Sequence, residues 1–161
     1  MDNRLLNYKY FFLTFIIVFF VNFSSCYSYS KEISVLVSPV KLLDTNPENL
    51  KVDNLKYING FELSSNDYRF GGLSSLLINE FNDFYSVTDR GDWITAKAKV
   101  NDIGFLENLY SFSMGSLKNE LDLPFNKKSK NTDAEAIEKL NNGNFLISFE
   151  RNHRILKYES L

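Results

Sequence analysis

The chain has 161 residues, 44% of them apolar and 16% aromatic, with a formal net charge of −2, which is material for one packed domain rather than a disordered segment. Lys127, Lys128 and Lys130 form the one basic cluster and have no aromatic platform around them, so a nucleic-acid partner is excluded and a solvated loop is expected there. A single cysteine and a single histidine exclude an intrachain disulfide, a cysteine-based zinc site and a histidine pair, and glycine-rich phosphate-binding signatures are absent.

Residues 1–28 read as an export segment. Arg4 and Lys9 precede an apolar run from Tyr10 to Phe23, and Ser24, Ser25, Cys26, Tyr27 and Ser28 follow as a small, polar cleavage region. The run is shorter than the ~20 residues of a bilayer span, so a signal helix is expected, with a periplasmic or secreted mature protein. Phe23-Ser24-Ser25-Cys26 also reads as a degenerate lipobox, which would anchor the protein to a membrane through a lipid on Cys26.

A leading strand and loop follow over 29–56. Ile33, Val35 and Val37 give the period-2 pattern of a half-buried strand over Glu32 to Val40, and Pro39 confines it to an edge or an end. Residues 41–56 are polar and read as a loop with a short strand at most. From 57 to 161 one β domain is expected. Tyr57 to Ser64 is a strand and Asn66-Asp67 a turn; Leu73 to Ile78, Phe84 to Asp89, Trp93 to Val100 and Leu106 to Met114 then make four antiparallel strands in sequence, the pattern of one propeller blade. Ile94, Ala96, Ala98 and Val100 share one face of the third strand, and Trp93, on the other, is expected to pack between units. After a polar connector over 115–132, Ala134 to Leu140, Phe145 to Glu150 and Arg154 to Tyr158 form a second unit, and the sequence stops at Leu161 without a fourth strand. The fold class is all-β, a partial β-propeller-like array of about two four-stranded antiparallel units.

The two units repeat. A shift of 61 positions lays Phe84 on Phe145, Asp89 on Glu150, Arg90 on Arg151 and Ile94 on Ile155 without a gap. Each copy therefore places an acid next to an arginine at the corner after its second strand. In the second copy Glu150, Arg151, His153 and Arg154 fall within five positions, the densest group of titratable residues in the chain.

Phe70-Gly71-Gly72-Leu73-Ser74, Thr88-Asp89-Arg90-Gly91, Asp133-Ala134-Glu135-Ala136 and the string from Ser148 to Ile155 resemble the phytase-like esterase domain family, over roughly residues 57–160. The resemblance implies an exported, mainly bacterial β-propeller acting on a small-molecule phosphate or carboxylic ester, with acidic residues at the site of hydrolysis. Ser75 and Ala136 stand where the family has glycine. Members are longer than this chain, so an incomplete form is expected, in which missing blades or another chain would close the ring; two units alone leave unpaired strand edges.

The candidate catalytic residues are Glu135, Glu150, Asp89 and His153. Asp89, Glu135 and Glu150 together would hold a metal, Ca²⁺, through hard oxygen ligands, and the ion would polarise an ester oxygen or activate water. In the other chemistry a carboxylate or His153 is the general base. Arg90, Arg151 and Arg154 are the candidate substrate-binding residues, through forked hydrogen bonds to an anionic group. Acid–arginine pairs at matching corners are also what structural ion pairs between blades require, and His153 also suits a hydrogen-bonded turn. Ser74 has Gly72 two places before it but Leu76 where the second glycine of a nucleophile elbow belongs, and no following helix is expected. Two other readings compete with the hydrolase: a non-catalytic propeller module that binds a ligand or cell-envelope partner, and an inactive truncated remnant.

Overall fold

The computed structural model describes residues 30–41, 51–52, 54–127 and 129–161. The export segment expected over 1–28, its signal helix and Cys26 lie outside these residues, as does much of the loop at 41–56. Every regular element among the described residues is a strand, and none is a helix long and apolar enough to cross a membrane. In chain order the strands are β1 (Lys31–Glu32), β2 (Leu36–Pro39), β3 (Lys51–Val52), β4 (Leu55–Lys56), β5 (Phe61–Ser64), β6 (Leu77–Ile78), β7 (Asp83–Val87), β8 (Asp92–Val100), β9 (Leu106–Ser116), β10 (Ala134–Lys139), β11 (Phe145–Phe149) and β12 (Arg154–Tyr158). They form a five-stranded antiparallel sheet in the order β1-β9-β8-β7-β6, a three-stranded sheet β10-β11-β12, and the pairs β2-β5 and β3-β4. Among the described residues no barrel or propeller closes.

The turns have a common chemistry. Asn79 Oδ1 accepts the N–H groups of Phe81 and Asp83, Asn101 Oδ1 those of Ile103 and Phe105, and Asn119 Oδ1 those of Leu121 and Leu123. Each asparagine replaces the missing ladder partners with its own side chain, which is why the residue type recurs where a strand reverses.

Alternation along the strands builds two cores. Val87, Trp93 and Leu117 from the larger sheet and its exit pack against Phe145, Ile147 and Phe149 of the smaller one, with Phe125, Ala134 and Ile137 completing the layer. Trp93 therefore does sit between the units. On the opposite face, Phe84, Ile94, Ala96, Ala98 and Met114 are covered by Ile33, Val35, Val37, Leu63 and Phe70. The larger sheet is thus buried on both faces over β7 and β8, whereas the smaller one leaves Ile155 67% exposed.

Several expected strands are differently cut. The one expected over Glu32 to Val40 divides between two sheets: Lys31 and Glu32 pair with β9, with Ile33 N–H still donating to Phe112 O at 3.0 Å, and Leu36–Pro39 pair with β5. Residues 73–78 keep only the Leu73–Thr88 bridge and the short β6. The connector begins after Ser116 and is pinched by a bridge between Lys118 and Pro124.

The repeat is geometric as well as sequential. Asp89 N–H donates to Gly72 O at 3.0 Å, and Glu150 N–H to Asp133 O at 2.8 Å. In each unit the first strand slips by one residue against the second: between the pairs Leu73–Thr88 and Leu77–Tyr85, and between Ala134–Phe149 and Ala136–Ser148. The gapless alignment nevertheless fails beyond the corner. Thr88 N–H closes on Asp92 O around Asp89-Arg90-Gly91, whereas Phe149 pairs with Arg154 around the longer turn Glu150 to His153. Ile94, opposite Ser86, consequently matches Leu156, opposite Ile147, and Ile155 turns to the other face.

Candidate functional site

The slip at the start of β10 has a chemical consequence. A bulge lets two residues oppose one and turns the extra side chain away from the ladder. Glu135 is that residue, exposed beside the corner where Glu150 follows β11. Asp133, just before β10, is buried at the same edge. One carboxylate oxygen from each of Asp133, Glu135 and Glu150 can be chosen so that all lie within 4.8 Å of one another.

Like charges at this spacing favour the protonated form. Burial, then the negative charges of Asp133, Glu150 and Asp89, together with a hydrogen bond to Asp133, hold the Glu135 carboxyl above the ordinary range. One cation offsets the cluster from the side: Arg151 Nε lies 2.6 Å from Asp133 Oδ2. Arg151 makes this contact from a left-handed backbone, φ 57°, which is uncommon for a residue with a Cβ. At the first corner the left-handed residue is Gly91, at φ 73°.

That first corner is held by Thr88, whose Oγ1 accepts the N–H groups of Arg90 and Asp92 at 3.3 and 3.1 Å. The Asp89 carboxylate lies over Gly72, where an added Cβ would come within 2.1 Å of it. Gly72 is at φ 58°, a conformation that favours glycine, and any side chain there would displace the Asp89 carboxylate. Arg90 Nε stands 3.9 Å from Asp89 Oδ1 and Nη1 donates to Tyr68 O at 3.3 Å.

Both corners open on one cleft of about 220 Å³, which Asp89 and Arg90 line from the first unit and Asp133 and Arg151 from the second, with Lys127 and Lys130 from the connector. Glu135, Glu150, His153 and Arg154 line a neighbouring open cleft. Asp133 belongs to the first cleft and to the carboxylate cluster, and so joins the two.

The expected site residues are thus brought together unequally. Glu135 and Glu150 meet, but the third oxygen beside them is Asp133 rather than Asp89, which acts on Glu135 through its charge. Arg90 and Arg151 line the same cleft. Arg151 pairs with Asp133, not with its chain neighbour Glu150. Arg154 is largely committed to packing: its guanidinium stacks 4.2 Å from the Phe149 ring, donates to Asn131 O and Asn152 O at 2.7 and 3.0 Å, and faces Glu120 at 3.4 Å. His153 is exposed at the rim. Asp133 was identifiable in the sequence only as a member of the Asp133-Ala134-Glu135-Ala136 string. The 61-residue repeat carried back to Gly72 marks it as the position where the second unit replaces glycine with an acid.

Comparison with known proteins adds one match. The family model described as "Phytase-like: Esterase-like activity of phytase" matches residues 68–160, more than half of the chain and all of both corners. No curated protein and no solved structure matches the chain.

Proposed function

Since the chain belongs to the phytase-like family described by the esterase-like activity of phytase, we propose that it hydrolyses phosphate or carboxylic esters at the edge formed by Asp133, Glu135 and Glu150. The observation that carries this reading is the convergence of those three carboxylates beside a cleft lined by Arg90 and Arg151. An esterase needs charge complementary to the oxygen that becomes negative and a group that takes a proton from water; the cluster and the cleft hold candidates for both within one surface.

The donor set fits a divalent cation. Three hard oxygen atoms converge, and burial together with the charges of Asp133, Glu150 and Asp89 raises the Glu135 pKa, a cost that a bound cation would offset. We take Ca²⁺ as the ion, held by Asp133, Glu135 and Glu150, with Asp89 supplying long-range negative charge. Bound there, it would supply Lewis acidity toward an ester oxygen or a water molecule. The chain's own residues do the rest. With the ion held by Glu150, His153, exposed at the open cleft, accepts and returns the proton; in the metal-free chemistry Glu150, exposed at the same cleft, shares that role. Arg90 and Arg151 receive the negative group of the ester, and Arg154 holds the turn that carries His153.

Export to the periplasm or outside the cell, with lipid on Cys26 as the alternative anchor, completes the proposal, as does an incomplete propeller whose ring further blades or another chain would close. A non-catalytic binding module of the cell envelope is the second reading, favoured by the 67% exposure of Ile155 on the outer face of the smaller sheet. Assay of the purified chain on a phosphomonoester, a phosphodiester and a carboxylic ester, with and without chelator, separates the two. Turnover that is lost with chelator and in Glu135→Gln is expected. Absence of turnover on all three substrates with Ca²⁺ present would sink the hydrolase and leave the binding module.

A further inference from the structure

The lysine cluster of the connector, which reads in sequence as a solvated loop, is in part anchored. Asp92 is 1% exposed at the start of β8. Its Oδ1 accepts the Ser116 hydroxyl at 2.8 Å and lies 2.5 Å from Lys127 Nζ, while Oδ2 has no partner among the described residues. A buried carboxylate is costly unless a cation is held against it, so Asp92 fixes the position of the Lys127 ammonium. Lys127 Nζ also donates to Arg90 O at 3.2 Å, tying the connector to the first corner. An ammonium has three N–H donors. Two are used here, and the third has no partner among the described residues, although Lys127 lines the cleft with its side chain 42% exposed.

We propose that Lys127, seated by Asp92, is the oxyanion ligand of the cleft between the two corners. With the ester-hydrolysing site as premise, it receives the charged group of a phosphate-type anion next to Arg90, Lys130 and Arg151. The charge balance sets the sign: four cationic side chains line the cleft against two carboxylates, Asp89 and Asp133, and with the buried Asp92 behind Lys127 counted one net positive charge remains. Asp92 is a positioning residue, acting through Lys127 and not on the anion.

Calorimetric titration with inorganic phosphate at low salt, with acetate as the carboxylate probe, tests this. The wild-type chain is expected to bind phosphate more tightly than acetate, with affinity falling as salt is added. The double variant Asp92→Asn/Lys127→Gln removes both charges and leaves no buried carboxylate unpaired; it should bind phosphate at least about tenfold more weakly, the loss expected for one charge-assisted hydrogen bond. Lys127→Arg, which keeps the charge, should retain most of the affinity. Lys130→Gln, an exposed change that cannot unfold the chain, should weaken binding to a smaller degree. Lys157→Gln, on the outer face of the smaller sheet, should leave it unchanged. No phosphate binding by the wild type, or equal binding by wild type and double variant, overturns the assignment. Ester turnover with phosphate binding independent of Lys127 would retain the hydrolase and remove this ligand. Lys127-dependent phosphate binding without any turnover would do the reverse.

Discussion

Two carboxylates in this chain are perturbed in opposite directions for opposite reasons. Asp67 accepts both the main-chain N–H and the guanidinium of Arg69, at 3.1 Å from the former, and Lys31 stands 3.7 Å away. The side-chain and then the backbone hydrogen bond from Arg69 bring its pKa down to about 2. A folded-state value below the unfolded one gives stability that is present at neutral pH and lost as pH falls from the ordinary carboxylate range through the folded value. Asp67→Asn is therefore expected to cost on the order of 1 kcal/mol at neutral pH, after discounting for solvent at a partly exposed pair. Denaturant titrations of the two proteins should converge as pH approaches the folded value. Glu135 has the other sign. Its folded-state pKa is raised, so the folded protein holds that proton more tightly and loses stability as pH rises above the ordinary carboxylate range. Without added cation, Glu135→Gln should melt at a higher temperature than wild type at neutral pH, with the gap closing in acid. Added Ca²⁺ should raise the melting temperature of the wild type only.

The element scale is where most of the fold was legible. Period-2 alternation and asparagine turns located β7, β8, β9, β11 and β12 to within a few residues, since a half-buried sheet writes its two faces into the sequence. What stayed hidden was the bulge. One extra residue at Ala134–Ala136 changes no composition, yet it decides which way Glu135 points and brings Asp133 to the cluster. The longer second turn was hidden for the same reason: a one-residue insertion moves Ile155 to the opposite face while leaving the residue types in place. Packing between the two sheets gives direct tests of this geometry. Ile147 is fully buried between them, so Ile147→Ala should destabilise by about 2–5 kcal/mol. Gly115 lies against Trp93, where a Cβ would come within 2.3 Å of the ring. Gly115→Ala should cost about 1–3 kcal/mol through displacement of the indole. Chemical denaturation measures both, and a neutral Gly115→Ala would contradict the placement of Trp93 between the units.

For the whole molecule, the two repeats are bound into one body by a shared apolar layer, with an acid–arginine corner from each opening on the same cleft. The sequence repeat foretold that convergence, because equivalent corners of stacked units face a common side. It did not foretell the division of labour. The first corner's acid rests on a glycine, whereas the second unit has an acid in that glycine's place, and only there, among the described residues, do three carboxylates meet. Calorimetric titration of Ca²⁺ into the wild-type chain, Glu135→Gln, Glu150→Gln and Asp89→Asn examines this asymmetry most directly. One bound ion is predicted for wild type, with affinity at least about tenfold lower in the two glutamate variants and little changed in Asp89→Asn. No binding by wild type, or a loss in Asp89→Asn as large as in Glu135→Gln, would contradict a cation site built on the second unit.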